Sequence, residues 1–460
     1  MKSLYDSLLE IVGAEYVSKQ QEELYIYSRD SGTAEPHMPD YVVAPKTTDE
    51  VQAIVRLANS NKVPLVPLGG GLNLAGLAIP LRGGIVLDLK RMDGIIEVNE
   101  KGRYVVVEGG TPQGKLLHYL KKHHPNLRHS IPSAPPQTTI AANVTTHGQG
   151  DLAQMFGFNS EMVNGLEVIL PNGELCRVGS CSHSPFWFTR QALPDLTGLF
   201  MGWCGTTGII TKVSLKLYPL KKIRGVEMFV IDEPCLVPDV IFDITHTQVA
   251  DEMMIGASSD PPSVKIPHYA SIYISGDSDE EIEFRRKLIR ETALASYVQK
   301  EQGRFVDLPP DQKTVLLERP RTYSVKLCDV DNDSGYEYVG GIMPVETYED
   351  CFKGGVEICL KHNKRLGAGA RVIGISPCIM FAWSYFFNRA IPESVEQARL
   401  ALYESEELAL KLGGTIWKPT TYGQKQIMKS MNSNTVKLMK EIRQLLDPNQ
   451  IMNPGHWEVI

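Results

Sequence analysis

Three consecutive glycines, Gly69-Gly70-Gly71, follow an apolar run in the stretch PLVPLGGGLNLAGLAI (residues 64–79), and Gly76 joins them shortly after. A short apolar strand that runs straight into glycines must end in a loop whose backbone comes close to something. Glycine N–H groups, unhindered by side chains, converge readily on a phosphate. No Gly-Lys-Ser/Thr follows, so the loop is not an ATP P-loop. GGGLNLAG also lacks a GxGxxG that opens a long helix, so it is not a standard dinucleotide fold. Taken alone, the stretch reads equally well as a glycine-rich surface loop.

The neighbouring residues form short, well-punctuated elements. TDEVQAIVRLANSN (48–61) puts Val51, Ile54, Val55 and Ala58 on one helical face, with Thr48 as N-cap. GIVLDL (84–89) and RYVVVEGG (103–110) predict strands, and TPQGKLLHYLKKHH (111–124) predicts a helix with Pro112 near its start. GLEVILPNGEL (165–175) predicts a hairpin around Pro171-Asn172-Gly173. GIITKVSLKLYPL (208–220) alternates apolar and polar residues, the pattern of a half-buried strand. After Leu220 strands such as EMFVI and ASIYIS mix with charged helices, and residues 278–315 read as a polar surface excursion. NTVKLMKEIRQLLDPNQIMNPG (434–455) predicts an amphipathic helix stopped at Asp447-Pro448.

A chain of 460 residues is too long for one ordinary core. The reading is an α+β protein with a first domain over residues 1–222, a second over 223–415, and a segment 416–460 that packs back on the first. A net charge of -7 argues against a nucleic-acid or anionic-membrane surface. The 8 cysteines, Cys328 among them, are dispersed with no CxxC pair and no zinc spacing, so no metal site is expected and the thiols read as reduced. No apolar run reaches signal-peptide or transmembrane length, and the expected location is cytoplasmic.

Five stretches in order carry a more specific message. They are VVAPKTTDEVQAIVRLANSNKVPLVPLGGG, GGIVLDLKRMDGIIEVNEKGRYVVVEGGTPQGKLLHYL, IPSAPPQTTIAANVTTHGQG, VNGLEVILPNGELCRVG and LFMGWCGTTGIITKVSLKLYP, and LLDPNQIMNPG closes the chain. This set resembles the FAD domain of the vanillyl-alcohol oxidase/p-cresol methylhydroxylase superfamily (PCMH-type). The resemblance implies a two-subdomain FAD-binding domain followed by an α+β substrate (cap) domain. It also implies that the glycine loop cradles the FAD pyrophosphate, with Pro67, Gly69, Gly70, Gly71, Leu72 and Asn73 along it. By the same resemblance Pro132, Ser133, Thr138, Thr139, Ile140, Ala142, Asn143 and Thr145 form a second FAD segment. Gly205, Gly208 and Ile210 fall near the adenosine side, and Asn453 belongs to the cofactor set. Ala141-Ala142 stand where many relatives have Gly-Gly; the methyl groups either shift the flavin contacts slightly or mark backbone at an ordinary φ. No convincing linkage residue is present, with Tyr336 and Tyr338 as outside possibilities, so non-covalent FAD is the expectation.

FAD carries the hydride chemistry, and the protein places a substrate C–H against it. One branch, similar to D-lactate dehydrogenases and glycolate oxidase, has a His-rich metal signature; here the second domain offers only widely spaced His246, His268 and His362. The second half, with MPVETYEDCFKGGVEICLKHN, FFNRAIPESVEQARLALYE and GGTIWKPTTYGQK, is more similar to the 4-phenol-oxidising branch. There, Trp417-Lys418 stand where that branch has a Tyr-Arg pair, Leu74 stands for a Tyr and Phe158 for an Asp. Lysine is a point charge and not a fork, and holds a carboxylate as readily as a phenolate. Catalytic candidates are therefore Lys418, Trp417, Arg389, Tyr422 and His147, with the alternative that Arg389, next to Asn388, pairs structurally with Glu393 or a carbonyl. The function expected is hydride transfer from a small hydroxylated or para-substituted phenolic substrate with an acidic group. The alternatives are a 2-hydroxy-acid dehydrogenase and a flavin electron-transfer subunit of a complex. A small-molecule substrate, a separate electron-acceptor protein and a homodimer complete the partners implied, with no nucleic acid and no transmembrane segment.

Overall fold

The computed structural model describes residues 2–318, 334–374 and 377–458; Cys328 lies outside them. The first sheet has the order Val17–Ser18, Tyr41–Val43, Ile85–Asp88, Leu65–Leu68, its last three strands parallel. Parallel strands need crossovers, and the helix Thr48–Asn61 supplies one. Its Val51, Ile54, Val55 and Ala58 are fully buried against the sheet, as the sequence period requires. The N-cap is Thr47 rather than Thr48: Thr47 is still extended, and its side chain accepts from Glu50 N–H at 3.2 Å.

The second sheet is antiparallel, in the order Ile95–Asn99, Tyr104–Glu108, Ile209–Lys216, Val163–Ile169, Leu175–Gly179. The hairpin expected around Pro171-Asn172-Gly173 joins its last two strands, with Gly173 at φ +81°. Ile209–Lys216 departs from its half-buried reading. It is central in the sheet, and six of its eight residues are buried, Thr211 and Ser214 included. A central strand covered on both faces buries its polar positions too, each hydroxyl finding a partner: Thr211 donates to the Glu167 carboxylate (3.1 Å) and Ser214 to the Trp187 carbonyl (2.6 Å).

A third sheet of eight antiparallel strands runs Gly303–Val306, Ile223–Ile231, His268–Gly276, Glu252–Ser259, Leu366–Ile373, Cys378–Phe387, Gly335–Pro344, Thr415–Trp417. Its core face, with Phe381, Trp383, Tyr385 and Phe387, packs under the helices Tyr348–Lys361 and Pro392–Lys411. Along Cys378–Phe387 buried and half-buried residues alternate strictly, so Cys378, Met380, Ala382, Ser384 and Phe386 share the opposite face. Two interactions carry that face to the first half of the chain: Arg371 donates to Ser133 Oγ at 2.8 Å, and Trp417 Nε1 donates to the carbonyls of Thr146 and His147, each at 2.9 Å.

The end of the chain returns to the first sheet. The amphipathic helix Ser433–Leu446 stops at Asp447, whose carboxylate accepts from the N–H groups of Ile451 and Met452. Leu65 N–H then bonds to the Ile451 carbonyl at 2.7 Å, and Asn453 N–H to the Leu65 carbonyl at 2.9 Å. This pairing lies at the entry to the strand that leads into the glycine loop.

Candidate active site

The glycines act first on each other's neighbours. A Cβ on Gly69 would overlap Thr139 Oγ1, and one on Gly70 would stand 2.7 Å from the Gln137 carbonyl. Gly71 has φ +68°, the left-handed region that glycine enters without steric cost. The loop therefore lies directly on residues 137–142, and two segments far apart in sequence form one wall. Gly205, at φ +73°, closes on Pro67, where a Cβ would sit 2.6 Å from Cγ. Asn453 ties the parts together, donating from Nδ2 to the carbonyls of Leu77 (2.9 Å) and Cys204 (2.6 Å).

Ile140–Thr145 form one short helix, so Ala141 and Ala142 hold ordinary helical backbone. Ile140 and Asn143 are buried in that helix, Asn143 accepting from Asn159 at 2.7 Å. Thr145 bonds back to the Ala141 carbonyl. Gly208 immediately precedes the central strand and Ile210 lies at its start, and Pro132 pairs with Gly150. Leu72 is 41% exposed and Asn73 holds its own loop through Ala75 N–H at 2.7 Å.

Several polar atoms on this wall are buried and have no hydrogen-bond partner among the described residues. They are Thr138 Oγ1, Thr139 Oγ1, Ser130 Oγ, Asn453 Oδ1 and both polar atoms of Gln149. Buried hydroxyls and amides are ordinarily satisfied. Thr138 and Thr139 are the two that lie directly against the glycine loop, where their free hydroxyls offer donors to a polar ligand.

The opposite wall presents charge. Lys418 follows the edge strand Thr415–Trp417 at φ +55°, and its ammonium stands 4.1 Å from the Trp417 ring centroid. No hydrogen bond or ion pair engages it among the described residues. Its side chain keeps partial accessibility, yet burial pushes its pKa down to about 8. Trp417 in turn lies 6.1 Å from the Tyr338 ring, and Tyr336 Oη meets Ser384 Oγ at 3.1 Å. Arg371 is buried in an ion pair with Glu252 (3.0 Å) while its other contacts reach Ser133 and the Gly150 carbonyl.

The remaining candidates fall in different places. His147, at φ +50°, gives its carbonyl to Trp417. Its ring is held by Ser160 at 2.9 Å and by the edge of Phe158, and burial lowers its pKa. Arg389 is exposed, donates to the carbonyls of Ser31, Gly32 and Ser334, and lies over Phe387. Tyr422 stacks on Tyr403 and donates to Glu407; that bond, more than burial, raises its pKa to about 12. No hydrogen bond or ring contact joins Arg389 or Tyr422 to Trp417, Lys418 or His147 among the described residues. The structure thus unites Trp417, Lys418 and His147, and leaves Arg389 and Tyr422 elsewhere.

Sequence reading missed Gln149, Arg371 and Glu252. Gln149 sat inside the quoted IPSAPPQTTIAANVTTHGQG and was legible as an extension of that segment. Arg371 and Glu252 lie on strands that are neighbours in the sheet but far apart in sequence, with no shared motif, so pairing them needed the sheet.

A family model described as an FAD binding domain matches residues 39–179, and one described as the C-terminal domain of FAD-linked oxidases matches residues 377–457. The chain is thus an FAD-linked oxidoreductase, with an FAD binding domain followed by the C-terminal domain of FAD-linked oxidases. It is 25% identical to the glycolate oxidase subunit GlcD of Bacillus subtilis, covering 99% of this chain and 96% of that protein. It is also 25% identical to the mitochondrial cytochrome D-lactate dehydrogenase of Arabidopsis thaliana, over 91% of this chain and 73% of that one. In fold it matches p-cresol methylhydroxylase with substrate bound (TM-score 0.85, 19% identity, 99% and 96% of the two chains). It matches 4-ethylphenol oxidase from Gulosibacter chungangensis in an isoeugenol complex equally well (TM-score 0.85, 20% identity, 99% and 96%).

FAD is the cofactor of this oxidoreductase, and the residues present fit it. The glycine loop and the wall of unsatisfied hydroxyls offer N–H and O–H donors of the kind a pyrophosphate and a ribityl chain accept from. Among the described residues no group of three or more His, Cys, Asp or Glu side chains could hold a metal ion, and no helix is long and apolar enough to cross a membrane.

Proposed function

We propose that the enzyme oxidises a small hydroxylated or para-substituted phenolic compound whose acidic group is held by Lys418. The observation that carries this is the Lys418 ammonium, set against Trp417 with no ion-pair partner among the described residues. An ammonium held without a counter-ion calls for an anionic ligand. When bound, FAD accepts the hydride from substrate carbon. Lys418 anchors the acidic group, and Trp417, fixed by the Thr146 and His147 carbonyls, supplies a flat apolar surface beside it. His147 acts by presenting that carbonyl. Pro67, Gly69, Gly70, Gly71, Thr138, Thr139, Gly205 and Asn453 hold the cofactor, non-covalently in this reading, and a separate protein takes the electrons. The working division of the chain is residues 1–222, 223–415 and 416–460.

A second reading, oxidation of a 2-hydroxy acid, is favoured by the end-to-end similarity to the glycolate oxidase subunit. Both readings require an anion at Lys418. Anaerobic mixing with 4-(hydroxymethyl)benzoate, D-lactate, 4-hydroxybenzyl alcohol and 4-ethylphenol, followed by the loss of oxidised-flavin absorbance, separates them. Reduction by 4-(hydroxymethyl)benzoate, which is not a 2-hydroxy acid, with little by D-lactate supports the aromatic acid, and the reverse supports the 2-hydroxy acid. Equal reduction by the uncharged 4-hydroxybenzyl alcohol would overturn both.

A further inference from the structure

Lys418 sits in a left-handed turn between an edge strand and a helix, a position that no ladder of hydrogen bonds holds by itself. Something must fix the turn for the ammonium to occupy one place. The residues on either side of Lys418 show three fixings. Trp417 is tied to the Thr146 and His147 carbonyls. The Pro419 carbonyl accepts from Gln424 Nε2 at 3.2 Å. Thr420 is held twice by one carboxylate, that of Glu406: its N–H donates to Oε1 at 2.8 Å and its hydroxyl donates to Oε2 at 2.7 Å.

Glu406 is fully buried in the long helix Pro392–Lys411. Its carboxylate lies at the start of the helix Thr421–Ser430, where Thr420 is the N-cap and accepts from Gly423 N–H at 3.1 Å. A side chain on Gly423 would overlap Glu406 Oε1, so glycine is needed for the carboxylate to come this close. An acidic group at a helix N-terminus is favoured by the unpaired N–H groups there. The arrangement is therefore a built socket, with donors on both oxygens and a cleared approach.

We propose that Glu406 is a positioning residue for the substrate anchor: by clamping Thr420 it fixes the Lys418-Pro419-Thr420 turn and with it the place of the Lys418 ammonium. This rests on the reading of Lys418 given above. Glu406 touches neither substrate nor cofactor in this account; it acts through the turn.

Two readouts on the FAD-loaded enzyme test the proposal. The first follows Lys418 itself. Acetylation of lysines by acetic anhydride, read residue by residue by mass spectrometry, is expected to be several-fold faster at Lys418 in Glu406→Gln than in the unaltered enzyme, with the exposed Lys287 unchanged as reference. Thr420→Val, which removes the hydroxyl from the other side, is expected to do the same. The second is a double-mutant cycle on binding of 4-hydroxybenzoate, read from the flavin spectrum. Glu406→Gln is expected to weaken binding about tenfold when Lys418 is present and less than about twofold in Lys418→Met, since residues acting through one another are not additive. Unchanged Lys418 labelling in both variants, or an equal loss of binding in the two backgrounds, would overturn the proposal. Faster labelling with no effect of Lys418→Met on binding would leave the clamp standing and overturn the anchor reading instead.

Discussion

The two walls of the site are made of different things. Residues 65–76 and 137–145 offer backbone and small hydroxyls: glycines that let one loop lie on another, and threonine hydroxyls with no hydrogen-bond partner among the described residues. The wall carried by the eight-stranded sheet offers side chains: an unpaired ammonium at Lys418 and a guanidinium at Arg371 already matched by Glu252. A backbone site recognises what all FAD molecules share. A side-chain site recognises whatever charge and shape its few residues dictate. The difference explains why curated relatives named for glycolate and D-lactate and structural neighbours named for phenols can share one fold with this chain.

The comparison breaks most visibly at the backbone. Gly70→Val puts a branched side chain against the Gln137 carbonyl and the Thr138 backbone, neither of which can give way. The purified protein is expected to lose most of its FAD, roughly a hundredfold in affinity, measured by the ratio of flavin to protein absorbance. On the other wall, Glu252→Ala leaves Arg371 buried without its partner. The cost is about 3–5 kcal/mol of stability, seen as a large drop in thermal midpoint.

Smaller effects sharpen the contrast. Binding of a carboxylate ligand to Lys418 needs the protonated amine, whose pKa burial lowers to about 8. The ammonium is therefore present below pH 8 and lost above it, so affinity for 4-hydroxybenzoate should fall as pH rises through 8, toward tenfold per unit well above it. A titration across that range reads it, with FAD content unchanged. Arg389→Ala should do least at the site. Its donors go to backbone carbonyls of residues 31, 32 and 334, so kinetic constants should stay within about twofold while stability falls by about 1 kcal/mol.

How much could be read beforehand follows the same division. The glycine loop, the Pro132–Thr145 segment and the strand that begins at Ile209 were legible because tight turns and close approach restrict the residue types allowed, and such restrictions leave a mark in a single chain. The N-cap slipped by one residue because Thr47 and Thr48 are equally good caps and only backbone geometry chooses between them. Lys418 was legible as a charge in a motif. That it lacks a counter-ion was not, because partners are set by how strands from both halves come together. Arg389 looked like an anion binder for the same reason in reverse: a conspicuous arginine beside Asn388 gives no hint that the carbonyls of residues 31 and 32 will fold against it.

The central claim is that Lys418 holds the acidic group of the substrate. The most direct measurement is a paired titration of the FAD-loaded enzyme and its Lys418→Met variant with 4-hydroxybenzoate and with the uncharged 4-hydroxybenzyl alcohol, read from the flavin spectrum without oxygen. The account predicts about thirtyfold weaker binding of the carboxylate in the variant, the scale of a hydrogen bond to a charged group, and no more than about twofold change for the alcohol. Equal affinities of the two proteins for 4-hydroxybenzoate would contradict it.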